Sequence, residues 1–195
     1  MTDAAFGLRA VRKMDGSPYT GGVVTCHVPA TDVTVLGVGD AVKLAGSSGS
    51  VDGVQNFMTV TRAAAGDKIF GVMVGNHVTK FDDTTHRAAS EARDIRVQVA
   101  SPGVIYHIQE DSVGGALDAT SVGLSADLVV ANADTTLGVS RMELDSSTAS
   151  GTAAQLTILG LADIVRDGVK NSIGTNAVWE VRINESQIAD SVAGV

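Results

Sequence analysis

Histidine and cysteine are the side chains of this sequence that could ligate a transition metal, and their spacing does not favour a metal site. The histidines are His27, His77, His86 and His107, and none belongs to a His-x-x-x-His or Glu-x-x-His pair. Cys26 and His27 are neighbours, so on a strand their side chains would point to opposite faces. A zinc site would therefore need ligands from distant segments. We predict no metal site, a buried Cys26, and partly buried His77 and His107.

Adjacent carboxylates at Asp82-Asp83 and Glu110-Asp111 could bind calcium or serve acid–base catalysis. Neither pair has the alternating spacing of a calcium loop, and a catalytic carboxylate pair must be brought together by the fold. The sequence also lacks a Gly-x-Ser-x-Gly elbow, a Cys-x-x-Cys pair and a Walker loop. We predict solvated turns and no enzymatic activity. A small β-barrel hydrolase is the alternative from another class, and clustered titratable groups would indicate it.

The segment GVGDAV, residues 37–42, partly matches a dinucleotide-binding fingerprint. Val42 stands where the third glycine is required, and the KLAGSSGS that follows cannot form the helix that would hold a pyrophosphate. The segment therefore predicts a turn that leads into a strand, and we expect no bound cofactor.

An acidic composition with few aromatic residues limits both the core and the partners. Hydrophobic residues make up 44% of the chain but aromatic residues only 4%, and the net charge is −8. This charge disfavours binding to nucleic acid or to an anionic membrane. Without a visible signal peptide, we expect a protein that is made in the cytoplasm and stays soluble. Arg87, Arg93 and Arg96 form a local basic cluster, which is either a solvated face or a contact for an acidic partner.

Short segments rich in Val, Ile and Thr alternate with clusters of Gly, Ser, Asp or Asn, which is typical of strands and turns. In Val178–Ile183 the alternation places Trp179, Val181 and Ile183 towards a core. The spacing predicts an all-β barrel or sandwich with little helix. The predicted strands are Gly22–Val28, Ala41–Ala45, Phe57–Arg62, Ile69–Val78, Ile95–Ala100, Val104–Gln109, Leu128–Ala131, Arg141–Leu144, Gln155–Leu161 and Val178–Ile183.

Three stretches interrupt this pattern. Phe81–Arg93 is a long loop or one short helix, and Glu185–Val192 could be a terminal helix with Asn184 as its N-cap. The glycine- and serine-rich Gly46–Gly49 suits a hairpin tip.

The N-terminal segment combines apolar side chains without helical spacing, interleaved basic residues and a turn at residues 15–18. Such a segment is suited to lie on the surface of another molecule. We predict an extended arm over residues 1–20 and a β-rich body over residues 21–195, which could hold two small β subdomains. The residues expected to contact a partner are Phe6, Leu8, Arg9, Val11 and Arg12.

The chain contains, in this order, the segments FGLR in the arm, VPA-x-D, VGDAVKLAGS, VTRAAAGDKIFGVMVG, ARDIRVQVA-x-P, VIYHIQED, SVGLSADLVV, SRMELDSSTASGTAAQLTILGL and IGTNAVWEVRIN. Over most of the chain, these segments and their order resemble the head decoration (capsid cement) proteins of tailed bacteriophages. The stretches QNFMT and FDDTTHRAAS depart from this resemblance. The resemblance implies a β-rich virion protein without an active site that binds the outer capsid surface.

Together these observations predict a non-enzymatic structural protein that cements the capsomer lattice. Its expected partners are the major capsid protein and further copies of itself, as a homotrimer, and its expected place is the outer capsid surface. The alternative is a tail or head-completion subunit, which copy number per virion would distinguish from a decoration protein.

Overall fold

The computed structural model describes residues 3–77, 83–166 and 168–188, and this part of the chain is almost entirely β structure. The only helical elements described are two 3-10 turns, Ala119–Ser121 and Ser146–Thr148. No helix in the described residues is long and apolar enough to cross a membrane. The strands are β1 (Arg9–Lys13), β2 (Val23–Val28), β3 (Ala41–Gly49), β4 (Phe57–Arg62), β5 (Gly71–Asn76), β6 (Arg93–Val99), β7 (Val104–Gln109), β8 (Ser125–Ala126), β9 (Leu128–Val129), β10 (Glu143–Leu144), β11 (Leu156–Leu161), β12 (Val165–Arg166), β13 (Val169–Lys170) and β14 (Val178–Ile183).

Five strands close into a barrel in the order β2-β4-β3-β5-β6. Strands β2 and β6 pair antiparallel along their length, and β2 completes the ring through a parallel bridge between His27 and Thr59. Closure leaves the barrel without a free edge. Its interior is filled mainly by aliphatic side chains, as the aromatic-poor composition requires: Cys26, Val28, Leu36, Val42, Val60, Phe70, Met73, Ile95 and Val97.

A five-stranded antiparallel sheet packs beside the barrel in the order β1-β7-β14-β11-β8. Trp179, Val181 and Ile183 of β14 are buried, as their alternation predicted. The remaining strands form two separate pairs, β9 with β10 and β12 with β13.

Barrel and sheet share one hydrophobic core. The larger cluster of buried residues contains Ala41 and Val72 from barrel strands together with Tyr106, Ile108 and Trp179 from the sheet. Because neither unit covers this surface alone, the barrel and the sheet stabilise each other.

All ten predicted strands are present, with ends that differ by a few residues; Val78 lies outside the described residues. The strands that the sequence did not indicate are Arg9–Lys13, Ser125–Ala126, Val165–Arg166 and Val169–Lys170. Three of these are only two residues long, too short for a periodic pattern. The all-β prediction is confirmed.

The three interrupting stretches differ from expectation in part. Gly46–Gly49 belongs to β3, whose register with β4 shifts between Leu44 and Ser48. Residues 83–92 form irregular structure rather than a helix, and Phe81 and Asp82 lie outside the described residues. Residues 185–188 form a bridge and a turn, so the predicted terminal helix is wrong there; residues 189–192 are not described.

Candidate interface at the N-terminal strand

The described part of the predicted arm is built into the body, which corrects the expectation of a separate segment over residues 1–20. Strand β1 pairs antiparallel with β7 over Arg9–Lys13, with a register shift between Ala10 and Arg12. The Leu8 amide donates to the Gly39 carbonyl at 2.9 Å. Leu8 is buried in the larger core, so it anchors the chain internally and is not available to a partner. Pairing to a strand nearly a hundred residues away satisfies backbone groups that an isolated arm would leave to water.

A close approach of backbone to backbone sets the start of β1. Gly7 has a φ of +68°, and a Cβ there would collide with the Gly39 carbonyl oxygen and the Ser140 side chain. Gly39 has a φ of +102°, and a Cβ there would collide with the Phe6 carbonyl oxygen. Only glycine fits both positions, because each combines a left-handed φ with no room for a side chain.

Two guanidinium groups lie over the ring of Phe6. Arg9 stands 5.1 Å and Arg166 5.4 Å from the centre of the ring, both within cation–π distance. Arg166 comes from the β12–β13 hairpin, so the stack joins the N-terminal segment to a distant part of the chain. Arg9 is exposed and has no carboxylate partner within the described ranges. Its charge therefore remains available to another molecule.

The outer face of the sheet carries a row of charged residues across three strands. Arg9 lies opposite His107, which lies opposite Glu180. Glu180 accepts a 2.7 Å bond from Arg12 and lies 3.5 Å from Nε2 of His107. Burial lowers the pKa of His107 despite the nearby carboxylate of Glu180. Arg12 is thus held by its ion pair with Glu180, and Val11 is half-buried, whereas Arg9 is exposed.

Two clefts flank this segment. The first, of about 510 Å³, lies where Asp3, Ala4 and Ala5 face Leu137 and Glu143. The second, of about 200 Å³, is lined mainly by apolar side chains, including Phe6, Leu8, Tyr19, Val38 and Met73. The N-terminal segment therefore lines both depressions, the first with residues 3–5 and the second with residues 6 and 8–10.

His27 and Asp94 form a histidine–carboxylate pair on the side of β2 and β6 that faces away from the barrel interior. Nδ1 of His27 lies 2.8 Å from Oδ1 of Asp94, its direct partner across β2 and β6. The Asp94 carboxylate also accepts from the Val51 amide at 3.2 and 3.3 Å, and the His27 ring packs against Gly49. The pair fastens the loop after β3 rather than facing an open cleft.

The other residues considered for chemistry do not form a reactive group. No cluster of His, Cys, Asp and Glu within the described ranges could hold a metal ion. Cys26 is buried, and burial raises the pKa of its thiol to about 12. Asp83 pairs with Arg93 at 2.7 Å, and Glu110 is buried, contrary to the expected solvated turn, with a pKa raised by burial.

The GVGDAV segment is a turn whose amides are used internally. The Gly37 amide donates to the Asp40 carboxylate at 2.8 Å, the Val38 amide to the Gly138 carbonyl and the Gly39 amide to the Met73 carbonyl. These bonds leave no cradle of free amides for a phosphate. The interpretation as a turn is confirmed.

The cluster of Arg87, Arg93 and Arg96 is largely buried. The expectation of a solvated face or of a contact for an acidic partner is therefore wrong for Arg87 and Arg93. Arg87 is fully buried, and Arg93 is buried between Asp83 and Glu91. Of the three, only Arg96 is exposed.

Three residues that the sequence did not single out hold the N-terminal segment in place: Gln109, Glu143 and Arg166. They lie far apart in the chain and belong to no motif. An inward-facing glutamine at the end of an apolar strand, VIYHIQ, was the only sequence signal.

Comparison with models of known protein families, with curated proteins and with solved structures found no match to this chain.

Proposed function

We propose that this protein is a non-enzymatic virion protein that binds the outer surface of a tailed-phage capsid and stabilises its lattice. The major capsid protein is its partner, and it acts as a homotrimer that contacts several capsomers. The sequence resemblance and an all-β body without a reactive cluster in its described part support this role. A tail or head-completion subunit is the alternative within the virion.

The observation that carries the proposal is the charge of β1. Three of its five residues are basic, in a chain whose net charge is −8. The strand lies at the edge of its sheet: it pairs with β7 on one side, and its other side carries an isolated bridge between Arg12 and Pro18. An edge strand with exposed basic side chains suits an acidic, extended segment of a partner through strand addition and charge pairing.

Exposed apolar side chains surround the same region. Leu137 lines the first cleft and is 69% exposed. Val165 and Val169 are exposed on the β12–β13 hairpin, whose Arg166 stacks on Phe6. Exposed apolar side chains beside a basic strand match the usual composition of a protein interface, which has an apolar centre and a charged rim.

Point substitutions test the proposal better than truncation, because removal of residues 2–13 would also delete β1 and Leu8 from the core. In the Arg9→Glu, Lys13→Glu double variant we expect affinity for heads assembled from the capsid protein of the same genome to fall about ten-fold. The Lys68→Glu, Arg96→Glu double variant has the same change in net charge at exposed positions outside this surface. It should bind normally.

Equal binding of both double variants would refute attachment through β1. Image reconstruction of saturated heads supplies the second measurement. Trimers spread over the lattice support decoration, whereas a single ring at one vertex or on the tail indicates the alternative. Absence of binding by the unmodified protein to any head or tail structure would refute the virion role itself.

A further inference from the structure

A buried glutamine fastens the first described residues to the sheet. Nε2 of Gln109 donates to Oδ1 of Asp3 and to Oε1 of Glu143, each at 3.1 Å. Its Oε1 accepts from the Ala4 amide at 3.3 Å and from Nη1 of Arg166 at 2.9 Å. Both amide hydrogens and both carbonyl lone pairs are thus in use.

Arg166 completes the attachment from the other side. Its Nη2 donates to the Ala4 carbonyl at 2.6 Å, while its guanidinium stacks on Phe6. Within the described part of the chain, the hydrogen bonds that hold residues 3–6, which we call the strap, all come from side chains. The chain is permanently attached to the body from Gly7, which has a positive φ, and Leu8, which lies in the core.

The attachment contains an electrostatic conflict. Two carboxylates from different segments, Asp3 and Glu143, accept hydrogen bonds from one NH2 group. Burial and then the charge of Asp3 raise the pKa of Glu143 to about 7, with a smaller contribution from Asp111. Among the described residues, the remaining charged groups around the first cleft are Arg166, which bonds to Gln109 and Ala4, and the Asp134–Arg141 pair, joined at 2.7 Å.

We infer that the strap is a pH-gated element: it stays docked on Gln109 while Glu143 is protonated and is released when Glu143 and Asp3 are both charged. Release frees residues 3–6, including the ring of Phe6, and widens the first cleft. The inference rests on the proposed function only for the surface that a released strap would contact on the virion. The gating itself is a property of the free protein.

The direction follows from proton linkage. Docking places the charge of Asp3 beside the buried Glu143 and so raises the pKa of its carboxyl, and the docked state therefore binds more protons than the released state. The equilibrium constant for release of the strap therefore increases with pH up to about 7 and stays constant above that pH. A single coupled proton changes an equilibrium by at most about ten-fold per pH unit.

Nuclear magnetic resonance measurement of amide exchange on the full chain tests the gate directly. The Ala4 amide, bonded to Gln109, reports on docking, and the Leu8 amide, bonded to Gly39, is the internal control. After correction for the intrinsic pH dependence of exchange, we expect protection of Ala4 to fall about ten-fold between pH 5.5 and 8. Protection of Leu8 should not change.

Variants separate the gate from general stability. Glu143→Gln and Asp3→Asn each remove one charge of the pair, and both should keep Ala4 protected at pH 8. Arg166→Ala should leave Ala4 unprotected at both pH values. Arg141→Ala, in the same cleft but not bonded to the strap, should retain the pH dependence of the unmodified protein.

Constant protection of Ala4 in the unmodified protein, or an undiminished pH dependence in both Glu143→Gln and Asp3→Asn, would overturn the inference. A working gate in a protein that binds no virion structure would instead refute only the proposed function.

Discussion

Gln98 of the barrel donates a 2.9 Å hydrogen bond from its side-chain nitrogen to the hydroxyl of Tyr106 in the sheet, and both side chains are buried. The bond crosses from β6 to β7 beside the apolar core that the two units share. It therefore fixes the position of barrel against sheet where apolar contact alone would allow sliding.

Substitution of Tyr106 by Phe tests this link. The change leaves the Gln98 amide buried without its acceptor, so we expect the free energy of unfolding to fall by about 1–2 kcal/mol. Urea denaturation followed by tryptophan fluorescence measures it, since Trp179 lies in the same core. Adding Gln98→Met should restore part of the loss. A double variant no more stable than Tyr106→Phe would show that the bond itself contributes little.

Arg87 joins two loops from inside the protein, and its removal should be costly. Substitution by Met keeps most of the volume but leaves buried carbonyls without donors. We expect a loss of about 3 kcal/mol or more in the free energy of unfolding. Arg96→Met, at an exposed position, should change it by less than about 0.5 kcal/mol. Similar effects of both substitutions would contradict the buried network. The carbonyls that accept from Arg87 belong to Pro29, Asp32, Thr34 and Glu91.

Gly7 and Gly16 share a positive φ but differ in their surroundings. Ala at Gly16 meets nothing within 4 Å, so it should cost only the left-handed backbone strain, about 1 kcal/mol. Ala at Gly7 would also push Gly39 and Ser140 away, and we expect at least about 2 kcal/mol more. Thermal unfolding of the two variants in parallel measures the difference. Equal melting temperatures would argue against close packing at the start of β1.

Asp40 should make stability depend on pH. It is fully buried, and burial raises the pKa of its carboxyl to about 6, although the Gly37 amide donates to it. The folded protein therefore binds this proton more tightly than the unfolded chain, and the stability lost as pH rises from about 4 to 6 amounts to about 3 kcal/mol.

The check is urea denaturation of the unmodified protein and of Asp40→Asn at several pH values. The difference between the two proteins isolates Asp40 from Glu143, whose pKa is raised as well. We expect the variant to gain relative stability as pH rises through this window. A difference independent of pH would contradict a buried, titrating Asp40.

The sequence by itself determined the class of fold. Segments such as Phe57–Arg62, Val104–Gln109 and Val178–Ile183 have strand bounds that match their predicted limits, because Val, Ile and Thr favour the extended backbone and the flanking residues favour turns. The burial of Trp179 also followed from alternation alone, since successive side chains on a strand face opposite sides.

The strand conformation and the burial of the N-terminal segment were decided by tertiary structure. Residues 9–13 mix basic and apolar side chains without clear alternation, and they form a strand because β7 offers an edge about a hundred positions later. Local pattern cannot reveal such a partner, since pairing depends on where the fold places the edge. Leu8, which suggested an external anchor, is buried for the same reason.

The candidate site likewise depended on contacts between distant positions. Gln109, Glu143 and Arg166 converge on residues 3–6 from three separate segments. Arg87 and Arg93, which indicated a basic surface, are drawn inside by carbonyls and carboxylates of other loops. A charged residue in a sequence is presumed solvated because burial without partners is unfavourable, and only the assembled structure supplies those partners.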